Sequence, residues 1–136
     1  MAEPVFTADD VNELIPRLEA LVAKLHAKAR SLQDEREALG DEVDGDHPVA
    51  EVLKRRPAAR RHVEEIEAAA NAIAEIGGQL KDLSLGLVDF PAEHEGELVL
   101  LCWQYGEPEV AFWHRQGEGF AHRRPLPGAR QSPHLQ

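Results

Sequence analysis

Cysteine is almost missing from this chain: Cys102 is the only one in 136 residues. A single thiol excludes an intramolecular disulfide and suits a reducing compartment, so a cytoplasmic location is expected. Aromatic residues are also scarce, at 5%. The sequence has no apolar run approaching the roughly 18 residues of a membrane-spanning helix, so no membrane span is expected. Met1 to Phe6 contains neither a basic stretch nor an apolar one, so no signal peptide is expected. Basic side chains are outnumbered, with 15 Lys and Arg against 25 Asp and Glu and a formal net charge of -10. A surface of that sign repels a phosphate backbone on average, which argues against a general nucleic-acid binder.

What is present is regular. Hydrophobic residues make up 43% and charged residues 29%, and the charge lies between periodic apolar positions, which excludes wholesale disorder. Thr7 and Asp10 stand at capping-box spacing, and Phe6 and Val11 at the spacing of a hydrophobic staple. Apolar residues then recur at Val11, Leu14, Ile15, Leu18, Leu21, Val22, Leu25, Ala29 and Leu32, which trace one helical face. Pro16 falls inside this stripe without shifting its phase, so the spacing predicts one helix over 7–39, bent at Pro16, with Gly40 beyond its end.

Residues 40–47 are acidic and punctuated by glycine. Asp41, Asp44 and Asp46 give a superficial likeness to a calcium loop, but the ligand spacing and terminal Glu of an EF-hand are missing, so a solvated connection is expected. A second helix is predicted over 48–76, starting at Pro48 and bent or restarted at Pro57. Its stripe is Val52, Leu53, Ala59, Val63, Ile66, Ala70, Ile73 and Ile76, and Gly77-Gly78 ends it. Two antiparallel helices leave part of each stripe uncovered unless a sheet or a second copy packs on them.

From Leu80 the period becomes alternating. Strands are predicted at Leu85–Phe90, Leu98–Gln104 and Glu109–His114, with a fourth around Phe120–Arg123. Pairing Gln104 with Glu109 across the Gly106 turn puts Val99, Leu101, Trp103, Val110, Phe112 and His114 on one face. It puts Leu98, Leu100, Cys102, Ala111 and Trp113 on the other. Since indole N–H groups need partners, one tryptophan is expected near the surface. The fold class is therefore α+β, a long antiparallel helical hairpin followed by a three- to four-stranded antiparallel β-meander over 80–126. One domain is expected over 1–126, with a disordered tail at 127–136.

Several motifs occur in order: Phe6-Thr7, Pro16, Lys81-Asp82, Gly86-Leu87-Val88-Asp89-Phe90-Pro91, Leu101-Cys102-Trp103, Gly106-Glu107-Pro108, Trp113-His114, and Gly119-Phe120 with Arg123. Over residues 5–126 the chain resembles the bacterial family catalogued as domain of unknown function 2203. His122 departs from that family's pattern, in which a glycine precedes the arginine. The resemblance implies a small cytoplasmic protein and assigns no reaction.

Asp82, Asp89, Glu107, Trp113, His114 and Arg123 are the candidate ligand-binding residues, most of them polar groups set in apolar or turn-forming sequence. A carboxylate inside Leu-Val-Asp-Phe-Pro needs a partner if it is buried. One reading joins Asp89 and His114 as metal ligands or an acid–base pair. The other pairs Asp89 with Arg123 as a structural ion pair. Cys102 lies mid-strand with no glycine turn beside it, which favours an inert thiol over a nucleophile served by His114. Arg55, Arg56, Arg60 and Arg61 form the one basic cluster. It lacks interleaved aromatics, and Glu51–Arg55, Arg60–Glu64 and Arg61–Glu65 can pair at i,i+4, so a solvated helix face is favoured over RNA or phosphate binding.

These features point first to a non-enzymatic interaction domain that forms a homodimer through its leftover helical stripe, with a further protein partner unspecified. The alternative is a ligand or divalent-metal site in the meander, with catalysis open; no other cofactor is expected.

Overall fold

The computed structural model describes residues 5–39 and 49–128. The expectations for Gly40, the 40–47 connection, the Pro48 start and most of the 127–136 tail lie outside the described residues.

The first helix, α1, spans Ala8–Glu37 and continues through Pro16. Thr7 Oγ1 accepts from the Asp10 N–H at 3.1 Å while Asp10 Oδ2 accepts from the Thr7 N–H at 2.9 Å, a reciprocal cap that satisfies two otherwise orphaned donors. The second predicted helix is two. Helix α2 (Val49–Arg55) stops before Pro57, and α3 (Ala59–Glu75) restarts after it. Pro57 supplies no donor to continue the ladder, and the Ala59 and Arg60 N–H groups close short turns on Arg56 and Pro57 instead. Helix α3 ends at Gly77, whose φ of +97° lets its N–H reach Ala74 O while the Gly78 N–H reaches Ile73 O.

That exit leads into a five-stranded antiparallel sheet in the order β1 (Gln79–Asp82), β2 (Leu87–His94), β3 (Glu97–Gln104), β4 (Phe112–Arg115) and β5 (Arg124–Pro125). Strand β2 runs on past Phe90, where the sequence predicted its end. Pro91 is tolerated because its carbonyl faces the β1 side, accepting the Phe6 N–H at 2.7 Å beyond the end of β1, so no ladder donor towards β3 is lost. The predicted fourth strand at Phe120–Arg123 is a 3-10 turn over Phe120–His122, closed by His122 N–H to Gly119 O. The pairing resumes only at Arg124.

The predicted register of the third strand is off by one residue. Val99 faces Arg115, Leu100 faces His114, Leu101 faces Trp113 and Cys102 faces Phe112. The Val110 N–H is taken by Asn12 Oδ1 on α1 at 2.7 Å, and Ala111 O by the Leu126 N–H, so residues 109–111 leave the ladder and β4 starts at Phe112. A slip of one exchanges the faces. Trp113 therefore joins Val88, Phe90, Val99, Leu101 and Trp103 in the core, against Val11, Ile15, Leu18, Val22, Leu25 and Ile73 of the helices. His114 moves to the outer face with Cys102.

Both tryptophans are buried, contrary to the expectation of a surface one. Trp103 donates its indole N–H to Glu107 O at 3.0 Å, so a backbone carbonyl inside the fold meets the need that water was expected to meet. The helical stripe is covered in part: Val11, Ile15, Leu18, Val22, Leu25, Ala59 and Ile73 are buried, while Leu14, Leu21, Leu32, Val63, Ile66 and Ile76 stay half-buried. Among the described residues, the exposed large apolar side chains are Val5, Val49, Leu85, Leu98, Tyr105 and Phe120, none of them on α1 or α3.

Candidate functional site

On the outer face of the sheet, Asp89 of β2 stands directly opposite Cys102 of β3, and Cys102 opposite Phe112 of β4. His114 lies two residues further along β4, on the same face, diagonal to Cys102. Pleating thus aims one side chain from each of three adjacent strands at a single spot. All three residues are buried, at 2%, 1% and 3% exposure. One ligating atom from each (a carboxylate oxygen, a thiol sulfur and an imidazole nitrogen) lies within 4.8 Å of the other two.

The hydrogen bonding of this trio is incomplete. His114 Nδ1 lies 2.9 Å from Arg115 O, and a carbonyl can only accept, so Nδ1 carries a proton. Nε2 lies 3.0 Å from Asp89 Oδ2, also an acceptor when ionised. A neutral imidazole would set lone pair against lone pair there. The contact therefore needs a proton shared between His114 Nε2 and Asp89 Oδ2, or a cation bound by both atoms. Asp89 Oδ1 is buried with no nitrogen or oxygen donor among the described residues, although the neighbouring Cys102 thiol interacts with this carboxylate. The Cys102 thiol is pushed up to about 12, chiefly by burial and next by the Asp89 charge, with Arg123 opposing. Unaided, it is a protonated thiol and a poor nucleophile.

Around the trio lies a cavity of about 100 Å³, floored by Leu87, Asp89, Cys102 and His114 and rimmed by Lys81, Glu118, Gly119 and Phe120. Glu118 is fully engaged: it accepts from Arg124 at 2.7 and 3.2 Å and from the Arg115 N–H at 2.8 Å. These donors, Arg124 first, hold its carboxyl down to about 2.

Arg123 does not pair with Asp89. It bonds Glu107 Oε1 at 3.1 Å, lies 3.9 Å from the Phe112 ring centroid and 4.5 Å from that of Phe120, and reaches Cys102 Sγ at 3.9 Å. It is the long covering side chain that the outer face requires. Glu107 also accepts the Gln104 N–H at 2.5 Å, and burial raises its carboxyl above the usual range against the pull of Gln104 and Arg123.

Other candidates have local duties. Asp82 Oδ1 accepts the Leu85 N–H at 2.8 Å, fixing the β1–β2 turn. Trp113 stacks on His94 at 4.5 Å on the core side, away from the trio. In the basic cluster, Arg55 pairs with Glu51, Arg61 with Glu65, and Arg56 with Glu35 of α1; Arg60 is exposed. Three of the four guanidinium groups are thus neutralised locally.

Asp89 and His114 therefore meet as one reading of the sequence had it, while Arg123 goes to Glu107 and Cys102 joins in. The missed member could have been found by counting alternate positions along β3, had the register been right.

A helical hairpin capping one face of an antiparallel meander, with a buried Asp–Cys–His trio on the other, defines a compact α+β domain. The chain belongs to the family described as Uncharacterized conserved protein (DUF2203), whose model matches residues 4–126. No curated protein and no solved structure matches it.

Proposed function

We propose that this domain binds a divalent transition metal of the zinc class through Asp89, Cys102 and His114. The observation that carries the reading is the convergence of His114 Nε2 on Asp89 Oδ2 at 3.0 Å beside Cys102, with Nδ1 already committed to Arg115 O. A backbone carbonyl on one ring nitrogen is the arrangement that orients a histidine to ligate through the other. Tetrahedral zinc with these donors has ligand–ligand edges of roughly 3.2–3.7 Å, so side chains already within 4.8 Å need only small rotations. Imidazole, thiolate and carboxylate together suit zinc and its neighbours rather than calcium or magnesium, which prefer all-oxygen sites. Binding displaces the Cys102 proton, which a metal's charge accomplishes where the apolar surroundings alone do not.

The test is elemental analysis and thermal unfolding of the full chain with and without zinc. One equivalent of metal is expected, with a rise in Tm that disappears in both Cys102→Ala and His114→Ala. Absence of stoichiometric zinc, together with an unchanged Tm, would refute the reading and leave a structural His114–Asp89 hydrogen bond as the role of the pair.

A further inference from the structure

The three side chains come from one face of one sheet and can occupy only three corners of a tetrahedron. Structural zinc sites are closed by four protein ligands, whereas sites with three leave a corner to solvent or an exogenous group. The fourth corner has to point away from the sheet, into the cavity floored by Asp89, Cys102 and His114 and rimmed by Lys81, Gly119 and Phe120. About 100 Å³ equals roughly three water volumes, which admits solvent or a small anion and excludes a nucleotide or a sugar chain.

Charge decides between those occupants. A divalent ion with one thiolate, one carboxylate and a neutral imidazole has no net charge. Glu118 on the rim is balanced by Arg124, and Arg123 behind Cys102 by Glu107. Among the described residues, Lys81 is left as the cation on the cavity wall without an ion pair, at an exposed position where it can reach over the mouth.

Resting on the metal reading above, we infer that the open coordination position takes a small anion from solution, held by the metal and by Lys81. Neither a helix N-terminus nor a surface patch is involved. The metal supplies the bond, the cavity limits the size, and Lys81 sets the sign.

The full chain loaded with Co²⁺ in place of zinc tests this with azide as the probe. A near-ultraviolet thiolate-to-cobalt band reports that Cys102 ligates, and the visible d–d bands report the fourth position. Azide is expected to shift the d–d bands with one-site saturation while the thiolate band persists. Lys81→Ala should raise the azide half-saturation roughly three- to tenfold, the loss of one charge-assisted contact, with cobalt stoichiometry unchanged. A thiolate band with d–d bands indifferent to azide would overturn the open position and leave the metal reading intact. Azide binding unaltered by Lys81→Ala would overturn the assignment of Lys81. No thiolate band at one equivalent of cobalt would overturn both the metal reading and what rests on it.

Discussion

Each polar residue that looked out of place in the meander has a physical reason for its position, and the reasons differ. Asp82 satisfies a turn donor, Glu107 a turn donor and a guanidinium, and Glu118 two arginine nitrogens and a backbone N–H. Among the described residues Asp89 and Glu107 each keep one buried oxygen without a hydrogen-bond donor, and of these carboxylates Asp89 is the one whose other oxygen faces an imidazole nitrogen. Glu118 offers a check on the electrostatics that is independent of any metal. Its folded-state value of about 2 lies below the ordinary 4.5, so its ion pair contributes stability fully above about pH 4.5. That contribution is lost as the pH falls from there towards about 2. An NMR titration should give Glu118 a midpoint near the lower value; a midpoint near 4.5 would mean that the Arg124 fork does not form in solution.

At the level of elements, what could be read from sequence depended on how local the signal was. Helix α1 was legible in its start and its stripe because its cap and its apolar period lie within its own residues, while it ends at Glu37, short of the predicted 39. Pro57 was legible as a break, since a missing donor acts where it stands. Strand β1 was not, because Gln79-Leu80-Lys81-Asp82 carries one apolar residue and alternates between exposed and half-buried as an edge strand. The β3–β4 register was not legible either. It is set by Asn12, 98 residues away, which pulls Val110 out of the ladder. That long-range bond also hid the site, since the slipped register put His114 and Cys102 on opposite faces. The junction of α3 with β1 is the sharpest elemental constraint. At Gly77 a Cβ would lie 2.2 Å from the Phe6 ring and at a φ of +97°, whereas at Gly117, with φ of +84°, it would meet nothing within 4 Å. Gly117→Ala should therefore cost about 1 kcal/mol from backbone strain, and Gly77→Ala a further 1–3 kcal/mol from overpacking. Urea unfolding of both variants would measure the difference; equal losses would contradict the packing of Phe6 against the helix end.

For the whole molecule, the hairpin and the meander divide the labour. The core face of the sheet buries the stripes of α1 and α3, which leaves the outer face free to carry chemistry without disturbing the core. Because Asp89, Cys102 and His114 sit on β2, β3 and β4, a bound ion would tie the three central strands together, and its affinity would add directly to the stability of the fold. Zinc at about a hundred times its dissociation constant would contribute about 2.7 kcal/mol, or roughly 10 °C in Tm for a chain of this size. The most direct measurement of the central claim is X-ray absorption at the zinc edge of the loaded full chain. The expected first shell contains one sulfur at about 2.3 Å and the remaining ligands as nitrogen or oxygen at about 2.0 Å. A first shell of oxygen and nitrogen alone, with no sulfur, would contradict it.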